Sequence, residues 1–255
     1  MITIKSKSEI ELMRKTGEVV ALALEKIKES VVPGVTTLEL DQIAEEFIRK
    51  NGGIPSFKGY KGFQGAIDYP GSICASVNNE VVHGIPGLKV LKDGDIISID
   101  IGVYLNGFHG DAARTFPVGN ITENARRLIE VTTTSFFEGI KNALKGKRIV
   151  DISLAIQKHV EANGFSVVRD YVGHGIGREM HELPQIPNYA ARERGPRLEP
   201  GMTLAIEPMV NEGDYQVKLL DNKWTVVTAD GSLSAHYENT IAITEEEPII
   251  LTKTG

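Results

Sequence analysis

Two ten-residue stretches share a pattern that ends in a carboxylate. Residues 91–100 (LKDGDIISID) and 198–207 (LEPGMTLAIE) each contain a leucine, a turn closed by glycine, an apolar strand and an acid in the last position. A carboxylate buried at a strand end is costly unless a cation or a hydrogen-bond donor compensates it. The repetition predicts a duplicated unit whose two acids point to one shared centre. Chance resemblance is the alternative, because strands and turns draw on few sequence patterns.

The segments upstream of these stretches are also alike. Residues 35–52 and 147–164 each predict an amphipathic helix that ends at Asn-Gly. A chain of 255 residues without a Pro/Gly/Ser-rich linker has enough material for one large core. We therefore expect a single domain, 1–255, with an internal pseudo-repeat whose halves are roughly 1–120 and 121–255.

Composition and charge limit the partners and the compartment. The net charge of −6 argues against nucleic acid as the main partner. The first residues lack the continuous apolar segment of a secretory signal or a membrane span, so no membrane association is expected. Cys74 is the only cysteine, which excludes an intrachain disulfide. We expect a cytoplasmic monomer.

The distribution of turns and apolar residues predicts helices first and strands second in both halves. Capping signals and periodicity predict helices over 6–31, 36–51, 122–144 and 150–163. Strands are predicted at 73–83 and in a hairpin of 96–104 with 108–118, and the chain is strand-rich from Gly173 onward. This order predicts an α+β fold with helices packed on one face of a curved, mostly antiparallel sheet.

Asp100 and Asp111 lie on the two arms of the predicted hairpin. A loop centred between Leu105 and Asn106 would place the two acids directly opposite each other. If Asn106 and Gly107 form a two-residue turn, the acids are offset by two positions but share a face, because side chains alternate with period two. Either register brings like charges together, which predicts a divalent cation between them.

Three more residues have side chains suited to the same centre. Glu207 ends a strand, Glu238 precedes one, and His174 lies between glycines that permit close backbone approach. Four carboxylates and one imidazole suit a dinuclear divalent site better than a structural zinc site, which would favour Cys and His.

Three further histidines lie close to these segments. His83 and His181 are each candidates for a proton shuttle or an oxyanion donor. His236 shares a strand face with Glu238, and the sequence assigns it no role.

Taken together, these motifs resemble those of the type I methionine aminopeptidases. The motifs that carry the resemblance are HGIP at 83–86, Asp100, GFHGD at 107–111, DYVGHGIG at 170–177, QIPNY at 185–189, GMTLAIEPM at 201–209 and AHYE at 235–238. They span nearly the whole chain in the family's order. The resemblance implies the pita-bread fold, two pseudo-symmetric halves around a dinuclear metal centre. It implies the ligands Asp100, Asp111, His174, Glu207 and Glu238.

The resemblance also implies a reaction, the removal of the initiator methionine from nascent polypeptides whose second residue is small. Glu207 would accept a proton from the attacking water, and His181 would hydrogen-bond the scissile carbonyl. His83 would contact the scissile nitrogen or pass it a proton, and Asp100 would meet the free α-amine through the metal. Two divalent ions are implied, and Co, Fe, Mn and Zn all suit these donors. A transient contact with the ribosome is left open.

An apolar pocket for the methionine side chain is implied as well. The aligned residues are Tyr60, Phe63, Cys74, Met180 and Trp224. Family members often have an aromatic residue at the position of Met180 and a cysteine at that of Phe57. Residues 64–70, from Gln64 to Pro70, resemble an insertion that either borders the pocket or enlarges a surface loop. We expect it at the pocket rim.

Two other classes compete with this interpretation. A prolidase or aminopeptidase P shares the metal ligands but usually has a sizeable extra N-terminal domain. A non-catalytic binding module with the same fold would be expected to have lost ligands, whereas all five are present here. The short stretch between His181 and Glu207 leaves no room for the helical insertion of type II enzymes.

Overall fold

Residues 1–62 and 65–254 are described by a computed structural model, and their helices agree with the sequence pattern. The helices are α1 (Lys7–Lys28), α2 (Thr37–Lys50), α3 (Glu123–Ile140) and α4 (Ile149–Ala162). Ser6 and Glu9 form a capping box at the start of α1, and Thr36 and Glu39 form one at the start of α2. Helix α3 ends four residues before the predicted boundary, because the chain turns after Ile140.

The strands are short, and every pairing among the described residues is antiparallel. They are β1 (Ile54–Pro55), β2 (Cys74–Val77), β3 (Glu80–Val82), β4 (Ile96–Leu105), β5 (Phe108–Pro117), β6 (Ser166–Val167), β7 (Gly173–Gly175), β8 (Glu182–Ile186), β9 (Thr203–Ile206), β10 (Met209–Asn211), β11 (Val217–Leu219), β12 (Val226–Thr228), β13 (Ser234–His236), β14 (Asn239–Ala242) and β15 (Ile249–Ile250). The central pieces have the orders β1-β4-β2, with β5 on β4, and β15-β14-β9-β7-β8.

One predicted strand is wrong. The expected single strand over 73–83 is two strands, β2 and β3, separated by a turn at Asn78. Asn78 has a φ of 57°, in the left-handed region that asparagine tolerates better than most residues. Its side chain donates to Asp95 at 2.9 Å and accepts from the amide of Ile96 at 3.0 Å, which holds the turn against the start of β4.

Two apolar clusters lie between the helices and the strands. One packs α1 and α2 on β2 and β4, and the other packs α3 and α4 on β9, β10 and β14. The α+β fold with helices covering antiparallel strands is therefore confirmed. Among the described residues, no helix has both the length and the apolar character needed to span a membrane.

The two copies of the repeated pattern make matching backbone hydrogen bonds. The amide of Leu91 donates to the carbonyl of Val35 at 2.8 Å, and the amide of Leu198 donates to that of Lys147 at 2.8 Å. In each half, the residues just before a helix therefore bind the turn that precedes the acidic strand.

Candidate metal centre

The hairpin of β4 and β5 carries two acids on one face. Its turn consists of Asn106 and Gly107, so the structure has the offset register of the two that the sequence allows. Asp111 lies opposite Gly102, two residues beyond Asp100, and the side chains of positions 100 and 102 share a face.

Glu238 is shared by two groups of donors that could each hold a metal ion. Asp111 and His174 form one group with it, and Asp100 and His236 form the other. The donor atoms in each group lie within 4.8 Å of one another. Glu238 is 1% exposed and Asp111 is 3% exposed. The structure therefore brings four of the five predicted ligands together, along with His236.

Glu207 borders the same cluster. Its Oε1 lies 3.5 Å from Nε2 of His174, and Oδ2 of Asp111 lies 3.8 Å from that nitrogen. Nδ1 of His174 lies 2.8 Å from the carbonyl of Gly175, so the other ring nitrogen faces the acids. All five residues implied as ligands thus meet at one centre, formed by the hairpin, β7, the end of β9 and the start of β14.

Several carboxylate oxygens of this centre are buried away from hydrogen-bond donors of the described residues. Within the described residues, Oδ1 of Asp100, Oδ1 of Asp111 and Oε1 of Glu238 are buried without a hydrogen-bond partner. Burial, followed by the charges of neighbouring carboxylates, raises the pKa values of Asp111, Glu207 and Glu238 well above their ordinary range. Oxygen donors with an imidazole nitrogen suit a divalent cation, which would compensate these charges. The residues present therefore fit a divalent metal.

His236 is a residue to which the sequence assigns no function. It is 2% exposed, and its Nε2 has no hydrogen-bond partner in the described part of the chain. That nitrogen lies 3.8 Å from Oε2 of Glu238, and burial lowers the pKa of His236 to about 3, so the ring is neutral at pH 7. His236 precedes Glu238 by two residues, and this spacing is the sequence signal that places both side chains on one face.

His83 and the acids line one cavity. Its φ of 58° is in the left-handed region, and its ring packs edge-on against Tyr171 and Trp224 at centroid distances of 5.7 and 6.3 Å. Burial lowers the pKa of His83 to about 4. The imidazole is therefore neutral at pH 7 and held between two aromatic rings.

His181 lies at the exposed rim of the same cavity. Its Nδ1 is 2.7 Å from the hydroxyl of Tyr60, and its ring centroid is 4.3 Å from that of His174. Partial removal of water lowers the pKa of His181. With Nδ1 bonded to Tyr60, Nε2 is the ring nitrogen left for a substrate.

The cavity has a volume of about 190 Å³ and is lined by acids and histidines together with aromatic and apolar residues. Among the residues implied for the methionine pocket, Tyr60, Cys74 and Trp224 line it. Phe63 lies outside the residues that the structure describes. Phe57, where family members often have a cysteine, also lines it, as does Tyr69 of the segment 64–70. Other lining residues, to which the sequence assigns no role, are Val82, Tyr171, Val172 and Met209.

Met180 differs from the expected arrangement. It is 5% exposed and packs in one apolar cluster with Phe57 and Cys74, and it is absent from the described residues that line the cavity. A Cβ at Gly102 would lie 2.8 Å from Phe57 and 3.2 Å from Met180, so the glycine makes room for both side chains. Phe57 lines the cavity, whereas Met180 is buried in the apolar cluster that contains Phe57.

The described part of the segment around 64–70 touches the cavity, while Gln64 lies outside the described residues. Tyr69 lines the cavity and packs edge-on against Trp224 at 5.1 Å. Nε1 of Trp224 donates to the carbonyl of Ile67 at 2.9 Å. The described residues of this segment therefore hold the tryptophan at the pocket rim.

Comparison with known proteins agrees with this geometry. The model of metallopeptidase family M24 matches residues 11–245. The methionine aminopeptidase of Clostridium perfringens is 62% identical over 252 residues, covering 99% of each chain. The chain belongs to the methionine aminopeptidases of family M24. It is therefore a metallo-aminopeptidase, a hydrolase, and the resemblance to the type I enzymes is confirmed.

Solved structures distinguish the methionine aminopeptidases from the prolidases that share their fold. The crystal structure of the Thermotoga maritima methionine aminopeptidase has a TM-score of 0.95 and 49% identity, with 99% of this chain and 100% of that chain covered. The Xaa-Pro dipeptidase of Bacillus anthracis has a TM-score of 0.78 and 25% identity, and the match covers 99% of this chain but only 62% of that one. The pita-bread fold is common to both, and the higher similarity is to the aminopeptidase.

Proposed function

We propose that this enzyme removes the initiator methionine from nascent polypeptides and peptides whose second residue is small and uncharged. The observation that carries the proposal is the cluster of buried carboxylate oxygens, unpartnered within the described residues, in a cavity that aromatic and apolar residues also line. The 62% identity to a methionine aminopeptidase supports methionine as the side chain for that cavity.

Asp100, Asp111, His174, Glu207 and Glu238 would hold two divalent ions, with Glu238 shared by both donor groups. Cobalt, iron, manganese and zinc each suit these oxygen and nitrogen donors. Bound divalent ions would lower the pKa of a water molecule and polarise the scissile carbonyl. Side chains of this enzyme would transfer the proton and orient the substrate.

Glu207 would take the proton of the attacking water at a carboxylate oxygen. Its position at the end of β9, beside His174, leaves it less buried than Asp111 and Glu238. Without a bound cation, burial and then the charges of Asp111 and Asp100 raise the pKa of Glu207, and a divalent ion would favour the ionised form that accepts a proton.

The two histidines of the cavity would act on the scissile bond. Nε2 of His181 would donate a hydrogen bond to the carbonyl oxygen, since Tyr60 occupies the other nitrogen. His83 would contact the scissile nitrogen or pass it a proton. Asp100, with one buried oxygen unpartnered in the described residues, would orient the free α-amine. A chain without a free amine would lose that anchor.

The proposed function also includes the domain organisation, the oligomeric state and the location of the enzyme. We propose one catalytic domain over 1–255 with halves of roughly 1–120 and 121–255, supported by the matching hydrogen bonds of Leu91 and Leu198. The enzyme would work as a monomer in the cytoplasm on N-termini that leave the ribosome, with or without a transient ribosome contact. Nucleic acid would not be a partner.

Peptide cleavage by metal-stripped protein tests this function directly. With Mn(II), Co(II), Fe(II) or Zn(II) restored, we expect methionine release from Met-Ala-Ser and none from N-acetyl-Met-Ala-Ser, because the α-amine is the anchor. Ala-Pro-Ala has a free amine but no methionine side chain for the pocket, and we expect it to stay uncleaved. Cleavage of only the proline peptide would place the enzyme with the prolidases. No cleavage with any metal would favour a binding module.

His181→Ala tests the partition of roles. We expect kcat to fall by roughly 10²-fold or more while metal content stays at the wild-type level, because the residue donates to the carbonyl and holds no ion. Mass spectrometry of bound metal and steady-state kinetics on Met-Ala-Ser provide the two readouts. Loss of metal from this variant would make His181 a ligand and contradict the assignment.

A further inference from the structure

The segment that precedes α1 contains a buried lysine. Lys5 is 8% exposed, and its Nζ lies 2.5 Å from Oε2 of Glu182. The hydroxyl of Thr3 donates to that carboxylate oxygen and accepts from the Lys5 ammonium. A lone buried charge is strongly unfavourable, so the lysine is tolerated here because the glutamate pairs with it.

The second oxygen of the same carboxylate organises the segment that carries His181. Oε1 of Glu182 accepts hydrogen bonds from the amides of Arg178 at 2.9 Å and Glu179 at 3.4 Å. Glu182 thus closes a short segment of irregular backbone, and His181 is the residue directly before it. This carboxylate therefore helps to hold the backbone of the segment that leads to His181.

Two further features of the fold hold the ion pair of Lys5 and Glu182 in place. The amide of Lys5 donates to the carbonyl of Gly201 at 2.8 Å, which holds the N-terminal segment. A Cβ at Gly177 would lie 2.5 Å from Cε of Lys5 and 2.6 Å from Oε1 of Glu182, so the ion pair fills space that only a glycine leaves free. These contacts therefore join the N-terminal segment to the segment that contains His181.

We propose that Thr3, Lys5 and Glu182 are positioning residues for His181, and through it for the scissile carbonyl. None of the three is among the described residues that line the cavity, so they act on the reaction only through the histidine. The inference rests on the proposed function, because it requires the role assigned to His181 there.

A merely structural role makes a different prediction from a positioning role. Removing one partner of a buried ion pair is destabilising, because the other charge is left buried and uncompensated. If the pair only stabilised the fold, its loss would change the melting temperature and the fraction of active enzyme, leaving the kcat of the folded enzyme unchanged. If it positions His181, kcat falls in folded, metal-loaded protein.

A double-mutant cycle between Lys5 and His181 tests the proposal. We expect Lys5→Met to lower kcat on Met-Ala-Ser by about tenfold, with KM and metal content close to wild type, because a misplaced catalytic group is costly. In the His181→Ala background, Lys5→Met should cause no further fall, since the two residues act in one unit. Lys145→Met, which breaks an exposed pair with Glu245 at 2.6 Å, is the matched control.

A tenfold fall that persists in the His181→Ala background would overturn the proposal, as would unchanged kcat in folded Lys5→Met. Glu182→Asp keeps the charge but shortens the reach, so we expect a loss of kcat there as well, and wild-type kcat would contradict the geometry.

A second readout does not depend on catalysis. In metal-free protein labelled with ¹⁵N-histidine, the ring signals of His181 should shift in Lys5→Met and stay unchanged in Lys145→Met. Unchanged His181 signals in Lys5→Met would reject the positioning role. If wild-type enzyme fails to cleave the methionine peptides, the proposed function fails, and this spectrum still decides whether Lys5 positions the ring.

Discussion

Glu207→Ala is expected to abolish turnover of Met-Ala-Ser, with kcat/KM falling by about 10³-fold or more. The side chain lies at the end of β9 within 3.5 Å of His174, and burial raises its pKa well above the ordinary range. It is proposed both to hold metal and to accept the proton of the attacking water. Removing it therefore removes two contributions, and steady-state kinetics with each metal added in excess measure the loss.

Glu207→Gln separates the two contributions. The amide keeps the shape and one oxygen donor but cannot accept the proton, so we expect low kcat even where metal is partly retained. The control is Glu199→Ala, an exposed glutamate on the approach to the same strand, which should retain wild-type kinetics. Full activity of purified Glu207→Ala would refute the metal-centre model.

Asp111→Asn is expected to lose bound metal and, at the same time, to stabilise the metal-free protein. Asp111 is 3% exposed, and its pKa is raised well above the usual range by burial and then by the charges of Glu238 and Asp100. A neutral amide of the same shape removes this repulsion but also removes a ligand. Asp111→Ala should lose metal too, although the cavity it leaves offsets the gain in stability.

The raised pKa of Asp100 predicts how the stability of the metal-free protein changes with pH. Burial raises the pKa of Asp100 from 3.8 to about 7 in the folded chain. A group with a raised folded pKa contributes stability that is full below its unfolded pKa and is lost as pH rises through the folded pKa. The metal-free wild type should therefore lose stability as pH rises from 3.8 to about 7. Metal should reverse the loss, by about 2.7 kcal/mol when free metal is 100-fold above Kd.

Melting temperatures with and without Mn(II), on either side of pH 7, provide the measurement, together with metal content by mass spectrometry. We expect metal to raise the melting temperature of wild type and of Asp221→Asn, an exposed control, and to leave Asp111→Asn unchanged. A wild-type metal shift in Asp111→Asn would remove this residue from the ligand set.

Much of the fold and of the acidic site could be predicted because it depends on local interactions. The capping box of Ser6 and Glu9 lies within one helical turn, and a two-residue hairpin with period-two alternation is enough to put Asp100 and Asp111 on one face. The short Asn78 turn that splits one predicted strand was missed because it depends on Asp95 and the start of β4.

The sequence by itself determined the acidic strands, the helices and the resemblance to a peptidase family, since neighbouring residues encode these features. Only the tertiary structure decided that His236 shares Glu238 with Asp100, and that Phe57 rather than Met180 forms the cavity wall. The pairing of Lys5 with Glu182 joins residues 177 positions apart. Such contacts depend on how whole strands and segments pack, and no local pattern encodes that packing.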